Sequence, residues 1–384
     1  MHFQLSEEHL MIRDAARDFA QSELLPGVIE RDNTQSFPSE AVKKMGELGF
    51  LGMMTSPTYQ GGGMDTISYV LAMEEISKID ASASVIMSVN NSLVCWGLEK
   101  FGSEAQKQKY LTRLANGEMI GAFCLSEPEA GSDATSQQTT AVDCGDYYLL
   151  NGTKNWITNG KSASVYLVMA QTDLAKGHRG INCLIVEKGM EGFIVGKKED
   201  KLGIRGSDTH SLMFTDVKVP KENRVGEDGF GFKFAMKTLS GGRIGIAAQA
   251  LGIASGALEL AAKYATERKS FGKPISEHQA IAFKIADMAT KVEAARLLVL
   301  KAAWLKDQGL NYDKASAMAK LYASDVAMEA TVEAVQILGG YGFVKEYHVE
   351  RLMRDAKITQ IYEGTSEIQR IVISRAVFDE FASR

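Results

Sequence analysis

Apolar residues recur with two different periods along this chain, and the change of period marks its organisation. Ile281, Ile285, Met288, Val292, Ala295 and Val299 follow one another at steps of four, three, four, three and four. Such steps keep side chains on one face of an α-helix, so the stripe predicts a long helix buried on one side, as in an antiparallel bundle. From residue 232 onward breakers are few. They fall at Gly272-Lys273-Pro274, at 309–313 and at Gly339-Gly340-Tyr341-Gly342, and they divide the region into about four long helices.

The middle of the chain reads differently. Tyr147-Tyr148-Leu149-Leu150 and 153–158 are β-prone runs separated by Asn151-Gly152, and Asn159-Gly160 follows. Asn-Gly between β-prone runs is a strong hairpin signal. Further short strands are expected at 165–171, 181–186 and 211–219, which gives an antiparallel β region of about 100 residues. The first third is helical in composition. Ser6 is a candidate N-cap, with Glu7 and Glu8 in the first turn where negative charge suits the helix dipole. Helices are expected from Glu7 to about Glu30, from Pro38 to Gly49, from Ile67 to Ile79 and from Gln106 to Ala115, with a loop at Gln60-Gly61-Gly62-Gly63. The order is α, then β, then α, with boundaries placed at 1–119, 120–228 and 229–384.

At 384 residues the chain is long enough for two or three packed domains. Hydrophobic residues at 45% and charged residues at 24% describe an ordinary globular protein and exclude long disorder. A net charge of −5 lacks the basic footprint of a nucleic-acid binder. The four cysteines, Cys95, Cys124, Cys144 and Cys183, are scattered singly, as expected of buried thiols in a reducing compartment. The six histidines form no zinc-ligand spacing, so no metal site is expected. The N-terminal residues carry no basic segment followed by an apolar one, so a cytoplasmic location is expected. The apolar stretch from Ile244 to Ala265 is broken by Gln249, Ser255 and Glu259 and reads as a buried helix rather than a membrane span.

Several familiar motifs fail. Gly160-Lys161-Ser162 ends like a phosphate-binding loop, but Asn155 stands where the upstream glycine is required. Gly229-Phe230-Gly231 lacks the third glycine and the βαβ setting of a dinucleotide fingerprint. Two segments carry chemistry instead. Phe123-Cys124-Leu125-Ser126-Glu127-Pro128-Glu129-Ala130-Gly131-Ser132-Asp133 runs from apolar residues into a turn rich in hydroxyls and backbone donors. Ile361-Tyr362-Glu363-Gly364-Thr365-Ser366-Glu367 places a carboxylate beside a glycine at a helix break, where it can project into a cleft or simply be solvated.

Together with Asn155-Trp156-Ile157-Thr158-Asn159-Gly160, Arg268-Lys269-Ser270-Phe271-Gly272-Lys273, Gln336-Ile337-Leu338-Gly339-Gly340 and Arg354-Asp355-Ala356, these segments resemble the acyl-CoA dehydrogenase family from Leu5 to Arg375. The run from Lys197 to Ser207 and the ending from Glu363 to Arg370 resemble its short-chain (butyryl-CoA) branch. The resemblance implies an α+β fold: an N-terminal helical domain, a middle antiparallel β-barrel and a C-terminal four-helix bundle. It implies FAD-dependent α,β-dehydrogenation of a short-chain acyl-CoA, with flavin N5 taking the β-hydride and electrons passing to an electron-transfer flavoprotein. It also implies a homotetramer arranged as a dimer of dimers.

By the same resemblance Glu363 is the general base. Its carboxyl group is expected to be pushed toward neutrality by burial. Some relatives place the base one residue before the arginine that here is Arg243, a position occupied by Gly242. Phe123, Leu125, Ser126 and Ser132 are expected to line flavin and pyrophosphate. Trp156, Ile157 and Thr158 are expected to flank the isoalloxazine, and Arg268 to meet the pyrophosphate. Phe271, Gln279, Gln336, Ile337, Leu338, Gly339 and Gly340 are expected to hold the adenylate end, partly across a subunit interface. Thr365 and Glu367 complete that site. Ser132, Ser240, Arg243 and Gly364 match substrate-contacting positions. Ser240 stands where close short-chain relatives have Asp, and Ser240-Gly241-Gly242-Arg243 looks more like branched short-chain members. A branched short-chain dehydrogenase, an oxygen-reoxidised oxidase and a non-catalytic acyl-CoA-binding scaffold are therefore the alternatives.

Overall fold

The computed structural model describes residues 4–382. The readings that fall on Met1, His2 and Phe3, and on Ser383 and Arg384, lie outside them. Ser6 caps the first helix, Glu7–Phe19, by accepting a hydrogen bond from the His9 backbone N–H at 3.2 Å. That helix does not run unbroken to residue 30. It widens into a π-turn at Ala20–Leu24, stops at Gly27, whose φ is 77°, and restarts as Val28–Thr34. Helices Ser39–Glu47 and Thr66–Ile79 fall where the pattern placed them.

One element of this region has no counterpart among the expected ones. Ala81–Ser88 continues through a π-turn, Val89–Cys95, into Trp96–Phe101. Every residue from Ala81 to Cys95 is buried, so no polar face gave the helix a detectable period. Its polar residues work internally. Asn90 Nδ2 donates to the carbonyls of Leu51 (2.8 Å) and Leu114 (3.0 Å), which ties the turn at Leu51 and the short helix Thr112–Ala115 to it.

The middle region is a sheet of eight strands: β1 (Gly121–Cys124), β2 (Thr140–Asp143), β3 (Tyr147–Thr158), β4 (Val165–Gln171), β5 (Ile181–Glu187), β6 (Phe193–Lys198), β7 (Thr209–Pro220) and β8 (Arg224–Val225). Its hydrogen-bonded path is β6-β7-β3-β2-β4-β5-β8, with β1 joined to β4. The expected all-antiparallel region is in fact a mixed sheet, since β1 and β2 both pair with β4 in parallel. The path is open, with β6 and β8 at its ends. Tyr148, Leu150, Tyr166, Val168, Leu184 and Phe214 form its own apolar core.

Neither Asn-Gly pair makes a hairpin. Asn151-Gly152 lies inside β3, at a register shift opposite β7. Gly152 has φ 143°, and a Cβ there would lie 2.7 Å from the Thr139 Cα, so close backbone approach is what requires glycine. Asn159 follows β3, is buried, and donates from Nδ2 to the Gly121 carbonyl at 3.0 Å. The turn between β2 and β3 is instead at 144–146, with Gly145 at φ 90°.

The C-terminal region holds the long helices Gly231–Glu267, Gln279–Asp307, Asp313–Leu338 and Ser366–Ala382, with a short one, His348–Ala356, before the last. The predicted stripe is buried from Met288 through Val292, Ala295 and Val299, while Ile281 and Ile285 are half-buried. Burying each large aliphatic side chain contributes roughly 1.5–3 kcal/mol. Gly231–Glu267 is long and apolar enough to cross a membrane by length and composition, but 83% of its apolar window is buried inside the fold. It is the central core helix. Gly252 and Gly256 let the helix Thr66–Ile79 approach it, since Cβ atoms there would fall 2.4 Å from the Glu74 carbonyl oxygen and 2.7 Å from that of Lys78. The same helix stacks Phe234 against Phe123 of β1, with ring centroids 6.4 Å apart, and so joins the sheet to the bundle.

Candidate active site

Glu363 sits in the turn between a 3₁₀ segment, Lys357–Gln360, and the last helix. Its φ is 51°, a left-handed conformation that a residue with a Cβ adopts only when its surroundings impose it. The imposing groups are identifiable. The Gly364 carbonyl accepts from Lys320 Nζ at 2.7 Å and from Gln369 Nε2 at 2.8 Å. Gln369 Nε2 also reaches the Glu363 carbonyl at 3.2 Å. Gly364 follows with φ 88°.

The strained turn drives the carboxylate inward. Glu363 Oε2 is buried and accepts no hydrogen bond from the described residues. A Cβ added at Gly242 would lie 2.1 Å from it, so the central helix offers a bare backbone to the carboxylate. Desolvation raises the Glu363 pKa to about 7, against the opposing charges of Lys320 and Arg243. Two tyrosines lie beneath. Tyr362 donates from its hydroxyl to Gln249 Oε1, and Tyr69 to Ser88 Oγ at 3.1 Å. Burial raises both phenols and keeps them neutral. Glu363 is therefore a carboxylate poised to take a proton near neutral pH from a group entering beside Gly242.

The expected substrate positions Ser240, Arg243 and Gly364 come together here. Arg243 is buried, its Nε has no hydrogen-bond partner among the described residues, and desolvation lowers its pKa against the pull of Asp313 and Glu363. Ser240 opens into a cleft of about 500 Å³, lined also by Trp96, Phe101, Met236, Tyr312 and Asp313. Ser132 is exposed on its loop.

The loop carrying Ser126 and Ser132 is fastened to β3 by a buried pair that the sequence reading did not single out. Lys154 Nζ donates to Glu127 Oε1 (2.7 Å), the Leu125 carbonyl (3.0 Å) and Gln137 Oε1 (3.1 Å). All three ammonium donors are used. Glu127 also accepts from the backbone N–H groups of Gln138 and Thr139. Its charged partner and these donors hold it below the usual carboxylate range despite desolvation. Alternation along β3 could have revealed Lys154, a charged residue at an inward position.

Beyond Lys154 the strand turns a ligand-ready face outward. Trp156 has φ 57° and is 56% exposed, and Thr158 is half-buried. Ile157, expected to flank a flavin, is 2% exposed and packs into the sheet core. Its neighbours Trp156 and Thr158 are the exposed and half-buried residues of this stretch. Phe123, Leu125 and Ser126 are half-buried.

A third group gathers at one end of the bundle. Arg268 is exposed, has no ion-pair partner among the described residues, and lies over the Tyr341 ring at 5.7 Å. Phe271, at φ 52°, is 96% exposed on the small arm 269–274. Gln279, Gln336, Gly339 and Gly340 are exposed, with open space over both glycines. Ile337 and Leu338, expected beside them, are core residues at 5% exposure each. No hydrogen bond or ion pair among the described residues joins this group to β3 or to the Ser126–Ser132 loop. Thr365 accepts from the Ile368 N–H at 3.3 Å and caps the last helix, and Glu367 is exposed.

These surfaces fit FAD. An exposed tryptophan beside a threonine suits a flat ring system with polar edges. An arginine without a carboxylate beside open glycines suits a pyrophosphate.

Comparison with known proteins agrees. Residues 6–118, 122–217 and 229–378 match the sequence models of the acyl-CoA dehydrogenase N-terminal, middle and C-terminal domains. A short-chain specific acyl-CoA dehydrogenase of Clostridium acetobutylicum is 52% identical over 378 residues, covering 98% of this chain and 100% of that one. The three-dimensional structure of butyryl-CoA dehydrogenase from Megasphaera elsdenii is 50% identical, with a TM-score of 0.97 and coverage of 98% of this chain and 100% of that one. A chain in a structure of the electron transferring flavoprotein of Acidaminococcus fermentans, studied for flavin-based electron bifurcation, is 55% identical, with a TM-score of 0.97 over 98% of this chain and 99% of that one. The three matched segments together span nearly all of the described fold, and the chain belongs to the acyl-CoA dehydrogenase family.

Proposed function

We propose that this chain is a FAD-dependent oxidoreductase that converts a short-chain acyl-CoA of the butyryl type to its α,β-enoyl-CoA. The carrying observation is the buried, unpartnered Oε2 of Glu363 pressed against Gly242, with its pKa raised to about 7. Bound FAD supplies the acceptor for the hydride that leaves the β-carbon. Glu363 Oε2 takes the α-proton. The Glu363 backbone N–H is the protein donor for the thioester carbonyl as enolate charge develops there. Tyr69, Tyr362 and Leu93 crowd the space around the carboxylate and exclude water from the reacting atoms.

The likeness to the Clostridium and Megasphaera enzymes supports the short chain length. The likeness to the chain from the Acidaminococcus structure supports an electron-transfer flavoprotein as acceptor. Exposed Phe271, Phe343, Phe378 and Phe381 on the bundle support burial against other subunits, and with it a homotetramer whose FAD sites are completed across an interface. Four free cysteines support a reducing, cytoplasmic setting. The enclosed core of the middle sheet supports its reading as the family's barrel, and domain limits of 1–119, 120–228 and 229–384 place the cuts in the connections that flank it.

The test is anaerobic bleaching of the purified yellow protein by butyryl-CoA, followed by a panel from C4 to C12 that includes isobutyryl- and 2-methylbutyryl-CoA. Fastest bleaching by butyryl-CoA is expected. Preference for a branched acyl group moves the assignment to the branched members, and no bleaching by any acyl-CoA removes the enzymatic reading.

A further inference from the structure

Lys320 is a buried cation that the reaction above does not use. It lies on the bundle helix Asp313–Leu338 and is 0% exposed. Among the described residues no carboxylate lies within ion-pair distance of it. Its hydrogen bond goes to a neutral acceptor, the Gly364 carbonyl, at 2.7 Å. A buried ammonium is retained only where something compensates its lost hydration. The compensating charge is on the residue before that carbonyl. Burial lowers the Lys320 pKa to about 8; Glu363 opposes this most strongly, followed by Asp325 on its own helix and Glu367 on the last one, while Arg243 adds to the lowering.

The relation is reciprocal. Lys320 is the first-ranked positive charge acting on the Glu363 carboxylate, with Arg243 from the central helix second. The remaining titratable groups facing that carboxylate are Tyr69 and Tyr362, both held neutral. No acidic side chain is hydrogen-bonded to Glu363 among the described residues. Lys320 thus touches the strained turn mechanically and the carboxylate electrostatically.

We propose that Lys320 is a positioning residue for the base: its buried ammonium clamps the Glu363-Gly364 turn and places a positive charge where it favours the carboxylate form of Glu363. The inference rests on the assignment of Glu363 as base. It assigns the ammonium a double role. Before proton transfer it stabilises the carboxylate, and during transfer it remains beside the turn whose backbone N–H faces the developing enolate.

Two variants separate charge from contact. Lys320→Gln offers a shorter, uncharged donor to the Gly364 carbonyl, and Lys320→Met offers neither donor nor charge. The first readout is the pH profile of flavin reduction by butyryl-CoA in the holoenzyme. The second is direct titration of the Glu363 carboxyl by infrared difference against Glu363→Gln, which needs no turnover. The expected result is an upward shift of the midpoint by about one pH unit or more in both variants, as for loss of a nearby opposite charge. Flavin reduction at pH 7 should then fall about fivefold in Lys320→Gln and recover above pH 9. Lys320→Arg, which keeps the charge, should leave the midpoint near that of the parent, and where Lys320→Met fails to fold, Lys320→Gln carries the comparison. A midpoint unmoved in the neutral variants, or moved as far in Lys320→Arg as in them, overturns the proposal. A parent that no acyl-CoA bleaches, with a carboxyl midpoint that still follows Lys320, removes the enzymatic reading and leaves the electrostatic one standing.

Discussion

The carboxylate of Glu363 fills the space that a side chain at position 242 would need: Oε2 lies 2.1 Å from where the Gly242 Cβ would be. Two segments 121 residues apart thus share one volume, and one of them must be bare.

Glu363→Gln keeps the shape of the base and removes its basicity. Loss of a general base costs roughly 10²- to 10⁴-fold, and an α-proton this weakly acidic belongs at the upper end. FAD content should be unchanged. Stopped-flow flavin reduction by butyryl-CoA within a few-fold of the parent rate would place the base elsewhere.

Because the volume is shared, the base should be transferable. Gly242→Glu alone should abolish activity and destabilise the fold, since its side chain collides with Glu363 and with Leu93, whose Cδ2 would lie 2.7 Å from the new Cβ. In a Glu363→Gly background the same substitution should restore part of the rate, measured as flavin bleaching. Recovery should stay incomplete, because the hydrogen bonds of Lys320 and Gln369 position a carboxylate at 363 and not one at 242. Equal inactivity of the double variant and of Glu363→Gly would contradict the shared volume.

A base with a pKa of about 7 gives a definite pH dependence. The ionised form reacts, so flavin reduction should rise through pH 7 and level off above pH 8. Stability runs the other way. The folded pKa lies above the unfolded one, so the folded state holds more protons between them, and stability falls as pH rises through that window. Glu363→Gln should therefore melt higher than the parent at pH 8, by an amount on the order of 1–3 kcal/mol, with the gap closing below pH 5. Calorimetry at the two pH values tests it. A constant gap would mean that the carboxylate carries no burial cost.

Lys154 and Glu127 are the buried pair that fastens the Ser126–Ser132 loop to β3. Lys154→Met strands the Glu127 carboxylate and should cost about 3–5 kcal/mol together with loss of bound FAD. Pairing it with Glu127→Gln should recover part of the stability, because no unpaired charge remains buried. Thermal melts and flavin absorbance after dialysis read both effects. A double variant no better than the single would show that the loop does not depend on the pair.

Arg268 is exposed and has no carboxylate partner among the described residues. Arg268→Ala should lower FAD retention after dialysis while barely moving the apo melting temperature. Light scattering should show a tetramer of 41.8 kDa chains. A holo monomer at working concentration would sink the interface reading.

The stripe from Met288 to Val299 was readable because helical period and burial coincide when a helix has one wet face and one dry one. The motif around Glu363 was readable because glycine and threonine punctuate it. The helix Ala81–Cys95 was not readable, since burial on all sides leaves no period. The two Asn-Gly pairs misled because turn chemistry is local, whereas strand pairing is decided by which partners lie alongside. Here the close backbone approach of Thr139 absorbed Gly152 into a bulge. Local sequence thus determined the residue types at the site and most helices around it. The raised pKa of Glu363, the fit of its carboxylate against bare Gly242 and the hydrogen bond from Lys320 to the Gly364 carbonyl were produced by tertiary structure. Desolvation and charge act through space, between residues whose separation along the chain carries no trace of their contact.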